Sequence, residues 1–371
     1  MTDTAVREAP PVLVLPPNWY AAVMGTGIIA VAGAVLRDDA GLGGPVRAVV
    51  DLALTAVWLA AAALLAVLSA VLLRAARRAR AHLGDLLLDP AVAPFHGAIP
   101  MAMLTVGAGT LLLGGDVHLP AAVAIDAGLW VAGTVLGVAG AVALTVRAAR
   151  LGWLGADAAW GGWLMPVVAP MVSAATGALL LPHIGNPALR TALHAVCAAL
   201  ALGSGAAAAL VIVAMARRVR RHGRTELGLG HARTAPTLCI PLGPLGQGAT
   251  AALGLGAPTA VGAAALLGAG AWAVFAVSAN RRAVLGPDGL PFSLGWWAFV
   301  FPVGTCVTGT AALAHRLDAP TLLAVAGAGY LGLVAIWARV AIRTLRGAAD
   351  GSLIPLAAQP QAAGRRRRLA W

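Results

Sequence analysis

Ten apolar runs, each long enough to cross a bilayer, fill almost the whole of this 371-residue chain. A hydrocarbon core about 30 Å thick needs roughly 20 apolar residues per helical crossing. A segment inside lipid must also satisfy its own backbone hydrogen bonds, which leaves only helices and closed barrels. The runs lie near residues 18–36, 47–73, 98–115, 120–146, 161–181, 188–216, 236–255, 258–279, 292–314 and 319–342. They predict an all-α integral membrane protein with ten transmembrane helices. A chain that is 60% hydrophobic and 11% charged is far too apolar for a soluble globular domain of this length.

The charges fix an orientation. All 26 basic residues are arginines, and the formal net charge is +12. Arg74, Arg77, Arg78 and Arg80 follow the second run, Arg147 and Arg150 the fourth, and Arg217 to Arg233 the sixth. Arg281 and Arg282 follow the eighth, and Arg339 to Arg346 the tenth. The opposite loops hold only Arg37, Arg47, Arg190 and Arg316, so the other 22, counting Arg7 and Arg365 to Arg368 in the tails, share one side. By the positive-inside rule that side is the cytoplasm and carries both termini. A missed or spurious helix would invert this bias downstream, so the charge pattern checks the count of ten. The absence of lysine, with 46 glycines and abundant alanine, suggests a GC-rich bacterial genome and hence the bacterial plasma (inner) membrane. The arginines cap apolar runs and are not interleaved with aromatic residues, so no nucleic-acid partner is expected.

A second regularity divides the helices. Each odd-numbered run carries a break near its middle: Gly25-Thr26-Gly27, Pro100, Pro166 with Pro170, Pro241 with Pro244, and Pro302. The even runs have none. Proline inside a membrane helix frees a carbonyl and bends the axis, which is tolerated where protein or water satisfies the freed group. The alternation predicts five helical hairpins with the bent, odd members gathered around a common axis.

The chemistry-bearing residues are few. Without lysine there is no P-loop or Schiff-base lysine, so no ATP-coupled engine is expected in this chain, and an enzyme is not expected either. Cys197, Cys239 and Cys306 lie singly in apolar runs and predict neither a disulfide framework nor a zinc site. His118, His183, His194 and His315 are placed near the outer face with Asp116, Asp126 and Asp318, and His82, His96, His222 and His231 near the inner one. No metal or other cofactor is predicted. His96 and Asp126 are the titratable groups closest to a path along the axis. Within the odd helices the polar inventory is neutral: Asn18, Thr26, Thr105, Thr110, Ser173, Thr176, Gln247, Thr250, Thr305, Thr308 and Thr310. Hydroxyls and an amide can offer hydrogen bonds to an anion without trapping it. Any single threonine can equally return its hydroxyl to its own helix.

Four segments carry a family resemblance: Pro17-Asn18-Trp19-Tyr20-Ala21-Ala22-Val23-Met24-Gly25-Thr26-Gly27, Trp163-Leu164-Met165-Pro166-Val167-Val168, Leu242-Gly243-Pro244-Leu245-Gly246-Gln247 and Trp296-Trp297-Ala298-Phe299-Val300-Phe301-Pro302. In order and spacing the chain resembles the tellurite-resistance/dicarboxylate transporter and slow-type anion channel family. That family includes tellurite-resistance proteins, malate carriers, sulfite efflux pumps and slow anion channels. The resemblance implies a homotrimer of subunits, each with quasi-fivefold symmetry and a central pore lined by the odd helices. It also implies passive or gradient-driven transport of small anions, with chloride, nitrate, sulfite and C4-dicarboxylates as candidates. The pore-lining positions would be Asn18, Thr26, Gly27, Pro100, Thr105, Pro166, Ser173, Pro244, Gln247, Pro302 and Thr305. A phenylalanine gate in the ninth helix maps to Phe301, with Phe299 as the alternative register. A proton-coupled malate or sulfite carrier is the nearest competing expectation, and a membrane receptor or scaffold is the competitor from another class. The expected organisation is a cytoplasmic segment over 1–17, a ten-helix membrane transport domain over 18–346, and a basic, disordered tail over 347–371 that is drawn to membrane lipids.

Overall fold

The computed structural model describes residues 15–78, 87–154, 159–222, 232–285 and 289–354. The N-terminal segment up to residue 14, Arg80, His82, Arg224, His231 and the tail from residue 355 lie outside the described residues.

The predicted runs form helices α1 (Tyr20–Leu36), α2 (Gly44–Arg78), α3 (Ala98–Leu113), α4 (Ala122–Arg150) and α5 (Leu164–Leu180). They continue as α6 (Pro187–His222), α7 (Leu242–Gly254), α8 (Thr259–Leu285), α9 (Phe301–Leu317) and α10 (Pro320–Ala349). Even-numbered helices run past their apolar stretch into the arginine-bearing segments. Arginine is a good helix former, and its long stem lets the charge reach the interface.

Among the described residues nine helices, several with an adjoining 3-10 turn, are long and apolar enough to cross a bilayer. The tenth is α7, whose 13 residues reach only about 20 Å at 1.5 Å per residue. It is preceded by the 3-10 stretch Ala232–Cys239, which adds about 16 Å before Ile240 and Pro241 turn the chain into α7.

Most of the expected breaks fall at helix starts, and the one at Pro170 lies near mid-helix. Each odd helix is entered through a 3-10 turn: Pro17–Trp19, Ala93–Gly97, Gly161–Trp163, Ala232–Cys239 and Leu294–Phe299. Pro100, Pro166 and Pro244 are the third residues of their helices, and Pro302 is the second. The first-turn amides of a helix have no intrahelical acceptor, so proline loses nothing there and its fixed φ suits the start. Pro170 is the helix-interior proline, and Gly25-Thr26-Gly27 passes through α1 without interrupting it.

The odd helices form a closed inner ring: α1 packs on α3, α3 on α5, α5 on α7, α7 on α9, and α9 on α1. Each even helix lies outside, in the groove between two consecutive inner helices. Of the inner spans α1, α3, α5 and α9, 67–89% is buried, against 11–22% of the outer spans. Leucines such as Leu202 and Leu267, each 76% exposed on the outer ring, are at home only against lipid tails.

At least one glycine stands at each junction of the inner ring. Gly27 lies against Thr105, Gly97 against the Met165 backbone, Gly161 against the Thr237 backbone, Gly246 against Thr305 and Cys306, and Gly304 against Ile28. Lipid supplies no hydrophobic drive for helices to associate, so close backbone approach and hydrogen bonds must hold the ring. Indole N–H groups reach inward from the outer helices: Trp58 to Thr110 Oγ1 at 3.2 Å, Trp130 to the Ser173 carbonyl at 2.8 Å, and Trp337 to Thr26 Oγ1 at 3.2 Å.

Candidate functional site

Two cavities are lined by residues of the inner-ring helices and the 3-10 turns that enter them. On the arginine-rich side a cavity of about 30 Å³ is lined by apolar groups that include Met24, Met101, Met165, Ile240, Trp297 and Pro302. Toward the opposite side the space widens to about 200 Å³, where the polar lining is Thr105, Thr176, Gln247, Thr250, Thr308 and, at the mouth, His315. Phe301 is the one residue that lines both. Its ring is 3% exposed. The local chain explains the placement. The 3-10 turn Leu294–Phe299 ends at Val300, and Phe301 with Pro302 opens α9.

Phe299 goes elsewhere. Its ring meets Trp296 edge-on at 5.8 Å, and Trp296 lies 5.1 Å beneath the Arg343 guanidinium. That cation-π stack holds Phe299 beside α10, where it lines neither cavity.

The structure separates the other predicted positions by helix face. Thr105, Gln247 and Pro302 line the cavities, whereas Asn18, Thr26, Gly27, Pro100, Pro166, Ser173, Pro244 and Thr305 line neither. Thr26 accepts from Trp337 on the outer ring, and Ser173 hands its hydroxyl hydrogen to Ala169 O at 3.3 Å. Thr305 is sealed in the α7–α9 contact and donates to Pro302 O at 2.7 Å. Pro100 faces Gly133 and Gly137 of α4.

His96 bonds the Ala93 carbonyl at 3.0 Å within its own turn and lines neither cavity. Asp126 is 1% exposed, wedged against Gly107 between α4 and α3 and away from the axis. Among the described residues no three metal-ligating side chains cluster.

Sequence reasoning left Thr250 and Thr308 in a general inventory, and it missed His315 as a lining group. The signal was present as helical spacing. Gly243, Gln247, Thr250 and Gly254 recur at three and four residues along one face of α7, and Thr308, Ala312 and His315 do so along α9.

At the arginine-poor mouth Arg37, just past the end of α1, ties α1, α2 and α3 of the first two hairpins together. It pairs with Asp116 after α3, and its Nη1 lies 3.2 Å from Asp51 Oδ1 on α2. Arg47 joins Asp51 at 3.0 Å and Asp38 at 2.8 Å, and His315 Nε2 lies 2.8 Å from Asp39 Oδ2. Arg37→Gln would leave Asp51 and Asp116 without their shared guanidinium. A cost of roughly 1–3 kcal/mol is expected, between the values for exposed and buried pairs. Thermal unfolding in detergent would register it as a lower midpoint, partly restored by adding Asp116→Asn.

Five helical hairpins, their odd-numbered helices packed in a closed inner ring, make this a multi-pass, all-α membrane protein. A family model described as SLAC1, voltage-dependent anion channel, matches residues 14–345, and the chain belongs to that family. Sulfite efflux pump SSU1 of Trichophyton rubrum is 24% identical over 181 residues, 43% of this chain and 46% of that protein. The chain thus aligns with under half the length of that pump. Two uncharacterized transporters of Methanocaldococcus jannaschii match almost end to end. One is 22% identical over 91% of this chain and 95% of its own length, the other 24% identical over 88% and 92%.

Proposed function

We propose that the protein passes small anions along the axis of its inner ring, passively or down an ion gradient, and that Phe301 is the gate. The observation that carries this reading is the pair of cavities inside the ring whose linings share a single residue, Phe301. The wider cavity presents hydroxyls and an amide and no carboxylate that would repel an anion. Membership of an anion-channel family and similarity to sulfite efflux pumps support the substrate class. Chloride, nitrate, sulfite and C4-dicarboxylates are the candidates. The finer assignments are a homotrimer with one path per subunit, a bacterial inner membrane with the arginine-rich face and both termini in the cytoplasm, and a transport domain over 18–346.

Vesicles holding the purified protein and loaded with one of these anions test the reading. Charge-carrying efflux down an imposed anion gradient is expected, and it should continue when a protonophore collapses any proton gradient. Efflux that stops with the protonophore would instead establish a proton-coupled carrier. Equal leakage from protein-free vesicles would remove the transport reading.

A further inference from the structure

The wider cavity has one ionisable side chain in its lining, His315, in the last turn of α9. The side chain is 46% exposed, so it stands where the cavity opens to solvent. Every other lining residue is neutral. His315 Nε2 lies 2.8 Å from Asp39 Oδ2, in the turn between α1 and α2. Asp39 lines neither cavity, but its carboxylate is within hydrogen-bond reach of the side chain that does.

The other charges around this pair are engaged or remote. Four helices pack against α9: α1, α7, α8 and α10. Of these, α7 holds no titratable side chain, α1 only Tyr20 at its far end, and α8 only Arg281 and Arg282 at its far end. On α10, Tyr330 donates to Ile29 O at 3.2 Å, and the arginines follow from Arg339 onward. In the neighbouring loops Arg37 and Arg47 answer Asp38, Asp51 and Asp116, and His194 bonds the Leu255 carbonyl at 3.0 Å. On α9 itself Arg316 donates to Ala257 O at 3.4 Å, and Asp318 follows the last turn. The His315–Asp39 pair is therefore the charge next to the opening that changes with protonation. With a neutral imidazole it carries one negative charge, and with an imidazolium it carries none.

We infer that His315 and Asp39 are a specificity-determining pair at the entrance to the wider cavity, whose net charge governs how readily an anion enters. The inference rests on the anion path proposed above and adds to it an electrostatic control at one end. Histidine is the side chain whose charge ordinarily changes between about pH 5 and 8. One unit of charge beside a hydrated mouth alters local anion occupancy about threefold.

Nitrate flux in low-salt vesicles, at about pH 5.5 and about pH 8, reads the pair directly. Nitrate remains an aprotic monoanion across that range, so pH acts on the protein alone. All proteins carry Phe301→Ala to open the path, and this parent is set beside its Asp39→Asn and His315→Gln derivatives. Parent flux is expected to be about threefold higher at the acid pH. His315→Gln should hold the parent's alkaline value at both, and Asp39→Asn at the alkaline pH should match the parent at the acid one, because the mouth is neutral in each. Both substitutions break the same contact, so a merely structural role would move them in one direction. A charge role moves them apart at the acid pH, Asp39→Asn above the parent and His315→Gln below it, with the gap closing as salt is raised. Equal parent flux at the two pH values, or both variants shifting the same way, overturns the inference and leaves the anion path standing. If the parent conducts no anion while folded, the path and this inference fall together.

Discussion

Replacing Phe301 with alanine is expected to raise anion flux through the protein about tenfold or more. The ring is the one side chain shared by the narrow apolar cavity and the wider polar one, so its removal joins the two along the axis. A dry constriction resists ions because no group there replaces their hydration, and widening it lets water follow the ion through. The same substitution removes a buried aromatic ring and should cost about 3 kcal/mol of stability. Phe299→Ala is the control. Its ring packs on Trp296 beneath Arg343, so it should lower stability modestly and leave flux where it was. Equal flux in folded wild type and Phe301→Ala, or an equal rise in both alanine variants, would refute the gate. Phe301→Leu should lie between, because leucine covers less of the opening.

The ladder of ten helices was legible because two independent physical demands write it into the sequence. Lipid demands about 20 apolar residues per crossing, and topology demands arginine on alternate loops. The inner and outer rings were legible too, since only the odd runs carry a proline, or in the first run a Gly-Thr-Gly, beyond their first two residues. Their position in those helices was misread. A proline that opens a helix and one that bends it look alike in sequence, and only the 3-10 turns before Pro100, Pro166, Pro244 and Pro302 tell them apart.

The axial path was legible in part, for a related reason. Apolar and small residues surround the inner helices on every side, because even their outward faces are buried by α2, α4, α6, α8 and α10. Hydrophobic periodicity therefore says nothing about which face meets the axis. Thr26 and Ser173 belong to the outward faces and Gln247 to the inward one, yet all three are polar residues in apolar runs. The register carried by Gln247 would have sorted them, since stepping three or four residues from it reaches Gly243, Thr250 and Gly254.

That register depends on Gly246, and Gly246→Ala is expected to be strongly destabilising, with two other glycines of the same helix as the comparison. A Cβ there would sit 2.5 Å from the Cys306 nitrogen, 2.6 Å from the Thr305 carbonyl carbon and 2.6 Å from Thr305 Oγ1. Two of these are backbone atoms, which no rotamer change can move. The α7–α9 contact must open, at a cost of about 3 kcal/mol or more by comparison with overpacked cores. On the same helix Gly248→Ala meets nothing closer than Met171 Cε at 3.7 Å, and Gly243→Ala nothing closer than Pro302 at 3.9 Å. Those two alanines should instead gain up to about 1 kcal/mol from better helix propensity. Thermal unfolding of the three variants in one detergent separates the outcomes, with Gly246→Ala well below wild type and the other two at or above it. The contact reaches further than stability. It sets how close α9 lies to α7, and through that where Phe301 sits between the two cavities, so any Gly246→Ala protein that survives should show altered anion flux. If Gly246→Ala unfolds with the wild type, the two helices are not in backbone contact at this residue, and the geometry assigned to the path fails with them.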